Sequence, residues 1–387
     1  MVRKRHSVLL RFLALGIGIG LHLGGCVNEP GPVGSGLIPR SDLLQGDSLD
    51  IIPSQSRSIL VIPDTVNSLR TTIAVGKKGA YEAWGLVLFT NFGSAYDSIA
   101  VQTAELRLKT SFHLGDSLGQ FSLAVRKALA TWTRSTFAYT NLREPGFYEE
   151  PARSTHDFGS IGDTADITIA LDTALVNSWF RSDTTNPNYG IVLEPINSSV
   201  IKGFLNPQLV ITYIPSGSSD ADTVTFTPAI GNYGFVLGGV DTLALQDSVL
   251  LHVRAGAASR AVMQFDISGL PAYSAIHRAL LEIWADESLF DRSSNMQDSL
   301  MATFRDELGF IPRFEALSSV SGSGSAKLYT LNLTPFVQYW VQNIGIPEIG
   351  IRARNERNGI EAFMLHGTAA IEPLKPRLRI LYTSTRQ

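Results

Sequence analysis

Two stretches of this chain, 169 residues apart, follow one plan: Pro207-Gln208-Leu209-Val210-Ile211-Thr212-Tyr213 and Pro376-Arg377-Leu378-Arg379-Ile380-Leu381-Tyr382. Leu209, Ile211 and Tyr213 share one face, as do Leu378, Ile380 and Tyr382, the period-2 signature of a half-buried strand. Upstream, Asn188–Leu193 matches Glu348–Ala353, Ala104–Leu108 matches Ala279–Ile283, and Phe89 matches Phe265. Trp179 and Trp340 precede the first of these matches in their respective halves. The order is preserved at offsets between 160 and 176, which identifies a duplication with altered loop lengths. Two like halves of ordinary domain size follow, each long enough to bury a core without disulfides.

Outside the repeats, the first residues carry Arg3, Lys4, Arg5 and Arg11 around a short apolar run, Phe12 to Gly25. A stretch of this length reads as a secretory signal, too short to span a bilayer. It ends Leu23-Gly24-Gly25-Cys26, and Cys26 is the only cysteine of the chain. That ending resembles the lipobox of bacterial lipoproteins. The resemblance implies diacylglycerol on the Cys26 thiol, loss of residues 1–25, and a lipid-anchored place outside the cytoplasm, expected at the outer membrane. Each buried acyl CH₂ contributes ~0.8 kcal/mol, so two or three chains hold such a protein durably. Without residues 1–25 the chain has 28 Lys+Arg against 35 Asp+Glu, a net charge of −7, which argues against nucleic acid and against electrostatic binding to anionic lipid.

Many short strands separated by Gly, Asp and Ser turns predict an all-β fold of two tandem β-sandwich, jelly-roll-like domains, each with one short helix. In the second half Thr334 is expected as the N-cap and Pro335 as the first helical residue, with Phe336/Trp340 and Val337/Val341 forming an i, i+4 apolar face. Thr173 opens the equivalent stretch with Leu175/Trp179 and Val176/Phe180. Trp179 and Trp340 are therefore expected to close one end of each core. The expected organisation is signal 1–25, lipidated N-terminus and tether 26–55, first domain 56–215, linker 216–221 and second domain 222–387. On that division residues 222–387 are expected to fold alone.

The run Val262-Met263-Gln264-Phe265-Asp266-Ile267-Ser268-Gly269-Leu270-Pro271, followed by Ala279–Ile283 and Leu333-Thr334-Pro335-Phe336-Val337-Gln338-Tyr339-Trp340, resembles DNRLRE-type domains. These are β-sandwich modules of secreted bacterial proteins, some related to carbohydrate-binding modules. The first half keeps Thr131-Trp132-Thr133, Trp179, Asn188-Tyr189-Gly190 and the closing strand, but lacks the Phe-Asp-Ile-Ser-Gly-Leu-Pro segment. The resemblance implies a non-catalytic binding or structural module with a polysaccharide as leading ligand. A protein-interaction subunit of an envelope or secretion complex is the alternative.

Candidate ligand-binding aromatics are Tyr139, Phe147 and Tyr148, in a Pro/Gly-containing insertion after Trp132, with Phe304, Phe310 and Phe314 in the corresponding stretch of the second half. Such rings stack on sugars, anchor protein partners, or pack their loops onto the sandwich. Gly115-Asp116-Ser117-Leu118-Gly119 satisfies both G-x-S-x-G and G-D-S-L, which would make Ser117 an esterase nucleophile. However, strand-like stretches flank it and no histidine follows an aspartate by three positions. Gly46-Asp47-Ser48-Leu49, Asp247-Ser248-Val249 and Asp298-Ser299-Leu300 echo the motif, as turns leading into strands would. No enzyme activity and no cofactor are expected. His113, His156, His252, His277 and His366 show no metal-ligand spacing, and Asp220/Asp222 and Asp286/Glu287 are the carboxylate pairs that could help hold calcium.

Overall fold

The computed structural model describes residues 46–60, 72–97, 99–133, 137–181, 187–215, 218–239, 247–256, 258–356 and 359–384. Cys26, the signal and most of the expected tether lie outside these residues. The chain opens with β1 (Asp47–Ile51) and β2 (Gln55–Leu60). Ten strands follow: β3 (Ile73–Lys78), β4 (Tyr81–Val87), β5 (Ala100–Leu114), β6 (Phe121–Lys127), β7 (Ser154–Gly159), β8 (Asp166–Ala170), β9 (Ile191–Ile196), β10 (Ile201–Ile214), β11 (Asp222–Phe226) and β12 (Tyr233–Gly238). The rest are β13 (Leu250–Arg254), β14 (Ser259–Gln264), β15 (Ala275–Ala285), β16 (Leu300–Asp306), β17 (Gly309–Ser321), β18 (Lys327–Asn332), β19 (Ile346–Ala353), β20 (Ala362–His366) and β21 (Arg377–Thr383). Short helices α1 (Tyr139–Leu142), α2 (Thr173–Trp179) and α3 (Thr334–Trp340) interrupt them.

All the strands fall into two antiparallel sheets. The first runs β7-β6-β9-β4-β3-β10-β5-β8, with β11 on β10 and β12 on β4; the second runs β1-β21-β15-β18-β17-β16-β19-β14-β13-β20, with β2 on β14. β20 also meets β15 at Leu365 and Ala285, so the second sheet curls toward closure. Alternation places one face of every strand inward, so each sheet wraps a separate core. Val75, Leu106, Phe121, Leu193 and Ile211 belong to the first core; Met263, Leu281, Phe304, Ile351 and Leu378 belong to the second.

The duplicated aromatics occupy equivalent places. Phe89 lies 6.3 Å from Trp179 between ring centroids, and Phe265 lies 5.7 Å from Trp340. The helices are held differently. Asp172 caps α2, its Oδ1 accepting from Leu175 N at 2.7 Å. Thr334 is not the cap of α3; Leu333 holds that position with no side-chain bond, and Pro335 is the second helical residue. Thr334 Oγ1 is taken instead by the Ala279 amide at 2.9 Å and donates to Asn332 Oδ1, so it ties the helix to β15 and cannot reach the helix amides.

Strand pairing departs from the expected boundaries. Residues 47–51, read as tether, form β1 on β21, and β11 and β12, expected in the second domain, lie in the first sheet. The two placements are equivalent. Asp222 to Phe226 pair with Tyr213 to Leu209, and Asp47 to Ile51 pair with Tyr382 to Leu378, in matching register. Likewise β12 sits on β4 and β2 on β14. Residues 215–221 are short enough to fold β11 back onto β10 as a local antiparallel pair. Among the described residues no strand follows β21, and β1 fills the equivalent slot.

Between the sheets, Phe112, Ile201, Phe235, Leu237 and Ile360 form a small apolar cluster. Polar links flank it: Ser294 N donates to His113 O at 2.8 Å, and Lys78 Nζ reaches Asp291 Oδ1 at 2.9 Å. Glu361 is fully buried beside this cluster. Its Oε2 accepts from Ser293 Oγ and Ile360 N, both at 3.1 Å, while Oε1 has no partner. Burial pushes its carboxyl above the usual glutamate value of 4.5, against the opposing hydrogen bonds. An acid whose folded pKa is raised binds more protons folded than unfolded, so this contribution is complete below 4.5 and is lost as pH rises toward the folded value. Glu361→Gln should therefore gain stability relative to the parent at neutral pH and match it in acid. Urea unfolding across that range tests this; parallel pH curves would refute it.

Candidate functional site

On the first sheet, Glu82, Trp84 and Leu86 of β4 point away from the core, as do Val192 and Glu194 of β9, Arg126 of β6 and Val236 of β12. The insertion after β6 folds over them. Trp84, Leu86, Trp132, Phe137, Leu142, Phe147, Val192 and Val236 are buried together, with Tyr139 and Tyr148 half-buried at the margin. The sequence-derived candidates are thus brought to one face, but in different states. Phe147 is buried against Phe137, with ring centroids 4.5 Å apart, and serves packing. Tyr148 stacks on Trp84 at 5.6 Å, and Arg126 lies over its ring at 5.1 Å. Tyr139 rests on Gly238, where any Cβ would strike its ring, and donates its hydroxyl to Glu82 Oε2 at 2.5 Å.

Charge is threaded between these rings. Arg143 is exposed and lies 5.4 Å over Trp84 and 5.8 Å over Tyr139. Arg126 bonds Glu194 at 2.5 Å and also pairs with Glu150. Burial opposes ionisation of Glu82, but hydrogen bonds from Lys77 and Tyr139 outweigh it and hold its carboxyl below the usual range. Burial and the bond to Glu82 together push the Tyr139 hydroxyl well above the ordinary tyrosine range, so it remains a donor. Beside these groups lies an open depression of about 430 Å³. Trp132, Phe137 and Phe147 contribute its apolar wall, and Asn141 and Glu144 contribute polar groups joined by a 2.9 Å bond. Apolar walls with a few placed polar groups are the usual make-up of a small-molecule or sugar pocket.

The second sheet builds the corresponding outward face from charge. Arg57, Arg305 and Glu348 form one cluster, Arg352 pairs with Glu315 at 2.7 Å, and Arg260 pairs with Glu356 at 2.7 Å. Phe310 covers Gly350 there, and Phe304 is buried in the core against Phe314 and Trp340. One topology therefore tolerates either an aromatic or an ionic outer face.

The remaining candidates resolve into structural roles. Ser117 lies in the turn between β5 and β6, its carbonyl accepting from the buried Lys202 at 3.0 Å. A strand follows it, where a nucleophile elbow needs a helix. His113 Nδ1 is bound to Asp163 at 2.7 Å. Asp116 of the motif and Asp247 of one echo each accept from the amide two residues on, before β6 and β13, whereas Asp47 is itself the first residue of β1 and Asp298 accepts from Lys327 and Tyr329. Asp286 caps Ser288 N, Glu287 holds Gly324 N and Lys327, and Asp222 meets Tyr213. Among the described residues no group of three or more His, Cys, Asp or Glu is placed to hold a metal. Trp84, Arg126 and Arg143 were missed from sequence, although Glu82-Trp84-Leu86 alternates as an outward-facing, partly apolar strand would.

No family model matches the chain, and no curated protein does. Among solved structures, a Parabacteroides distasonis protein described as secreted is 10% identical, with a TM-score of 0.22, covering 88% of this chain and 100% of its own. The VP2 subviral particle of infectious bursal disease virus is 11% identical (TM-score 0.14; 89% and 77% covered), and Macrobrachium rosenbergii nodavirus is also 11% identical (TM-score 0.15; 89% and 91% covered). Overlap this low carries no argument about function.

Proposed function

We propose that this chain is a non-catalytic lipoprotein of the bacterial cell envelope, anchored through Cys26, built as two tandem β-sandwich modules, and binding polysaccharide through the aromatic face of the first. The observation that carries the binding reading is the contrast between the two outer faces. Since the second sheet completes the same topology with arginine and glutamate, the fold does not require an aromatic outer face; Trp84 and Trp132 are buried beneath the insertion, and a ligand gives a reason for the half-exposed Tyr139 and Tyr148 at its margin. Sugar rings present apolar C–H faces and many hydroxyls, which suit a wall of Trp132 and Phe137 next to Asn141, Glu144 and Arg143. The anchor reading rests on Leu23-Gly24-Gly25-Cys26. Cys26→Ser should abolish labelling by palmitate.

Retention in gels containing a panel of polysaccharides tests the binding reading. Tyr148→Ala with Glu144→Ala should weaken retention on a positive glycan by about tenfold, the scale of ~1.4 kcal/mol, while the melting temperature changes little. Arg352→Ala, on the ionic face, should leave retention unchanged. If the intact protein is retained by no glycan, the polysaccharide reading fails; an envelope protein cross-linked at the same face would replace it with the partner reading.

A further inference from the structure

We infer that one end of the second sheet, formed by the loop after β14 and the turn after α3, rests on the membrane that holds the anchor. This inference rests on the lipoprotein reading above and adds a second point of contact.

Three observations meet at this end. First, the tether enters here. Asp47 pairs with Tyr382, Tyr382 pairs with Ile276 at the start of β15, and Leu49 Cδ2 lies 3.4 Å from the side-chain direction of Gly269. Second, the end is apolar and exposed. Tyr273 is 68% accessible and Ile344 47%, and both belong to turns around the end of α3: Tyr273 N donates to Val341 O at 3.1 Å, and Ile344 N to Tyr339 O at 3.0 Å. The backbone at Tyr273 is left-handed, with φ of 60°, a conformation a bulky residue rarely adopts. Third, the two turns themselves are uncharged: residues 267–276 and 341–347 contain no Asp, Glu, Lys, Arg or His, and the exposed Asp47, Asp266 and His277 only border them. In the first half the corresponding stretches include Asp97, Arg181 and Asp183.

An exposed tyrosine and an aliphatic side chain on uncharged turns have the chemistry of the bilayer interface, where aromatic residues settle among headgroups. Two side chains would not bind a membrane from solution. Cys26 and Asp47 are separated by twenty residues, which reach at most about 70 Å, so the anchor presents this end to the bilayer at high effective concentration. A weak contact then suffices to orient the protein, with the second sheet seated and the aromatic face of the first held clear for ligand.

The test uses the full lipidated chain, in which an introduced cysteine is the only free thiol. Ile344→Cys and, as reference, Leu289→Cys are labelled with an environment-sensitive dye. Leu289 is 46% exposed and follows the far end of β15, a strand of eleven residues spanning about 35 Å. In vesicles of phosphatidylethanolamine and phosphatidylglycerol, iodide quenching of the label at 344 should fall about threefold against detergent-dispersed protein, as interfacial burial demands, while the label at 289 stays accessible. Equal quenching at both positions on protein that floats with the vesicles would overturn the inference and leave the anchor intact. Protein that does not float would overturn the anchor, and the inference with it.

Discussion

Residues 247–387 expressed alone should fail to fold, and the same residues with 47–60 joined after residue 384 through a Gly/Ser linker should fold cooperatively. Without β1 and β2, the second sheet loses the partners of β21 and β14 along five and six residue pairs, and long unpaired apolar edges favour aggregation. The first sheet has no such requirement. Residues 72–238 contain β3 through β12 and should give a soluble all-β domain with a single thermal transition. Residues 222–387, the division suggested by the repeat, would lack β1 and β2 and carry β11 and β12 without their partners. Far-UV circular dichroism and thermal melts of the four fragments decide the matter. A monomeric 247–387 melting at the temperature of its permuted form would show that the N-terminal strands are dispensable.

Trp340→Ala should cost roughly 3–5 kcal/mol, the range for deleting a large buried aromatic. Its ring is 2% exposed and lies within 6.4 Å of both Phe265 and Phe304. Since whole domains are stable by only about 5–15 kcal/mol, such a loss would leave the second sheet marginal at 37 °C. Trp340→Phe should cost much less. It keeps ring contact with Phe265 and Phe304 and removes an indole N–H that is buried without an acceptor. Denaturant midpoints followed by circular dichroism separate the two variants, and an alanine variant as stable as the phenylalanine variant would contradict the packing described for α3.

Much of this could be read from the sequence because its determinants are local. Alternation marks β10 and β21, and the matched aromatics Phe89/Phe265 and Trp179/Trp340 mark two equivalent cores. Closure of the second sheet could not be read that way. Asp47-Ser48-Leu49-Asp50-Ile51 contains only two apolar residues, and its partner lies more than 300 residues away, so nothing nearby distinguishes a strand from tether. The outer face was half legible: Tyr139 and Tyr148 stood out in a loop, whereas Trp84, at the centre of the face, looked like any strand tryptophan. Thr334 was misplaced by one residue because its hydroxyl answers to Ala279, a tertiary partner that a capping rule does not see.

The pairing of β1 with β21 also sets an order in time. The strands of the first sheet lie in one continuous stretch, and its ladders can form as soon as β12 has emerged. Asp47 and Tyr382 are 335 positions apart, so the second sheet cannot be completed until the last strand is delivered. Contacts that span nearly a whole chain are slow to form, and the edges awaiting them are open to wrong partners meanwhile. Whichever way the chain is delivered, β1 is among the first described residues made and the last to find its partner, and delivery of β21 becomes a condition for the second sheet to be completed.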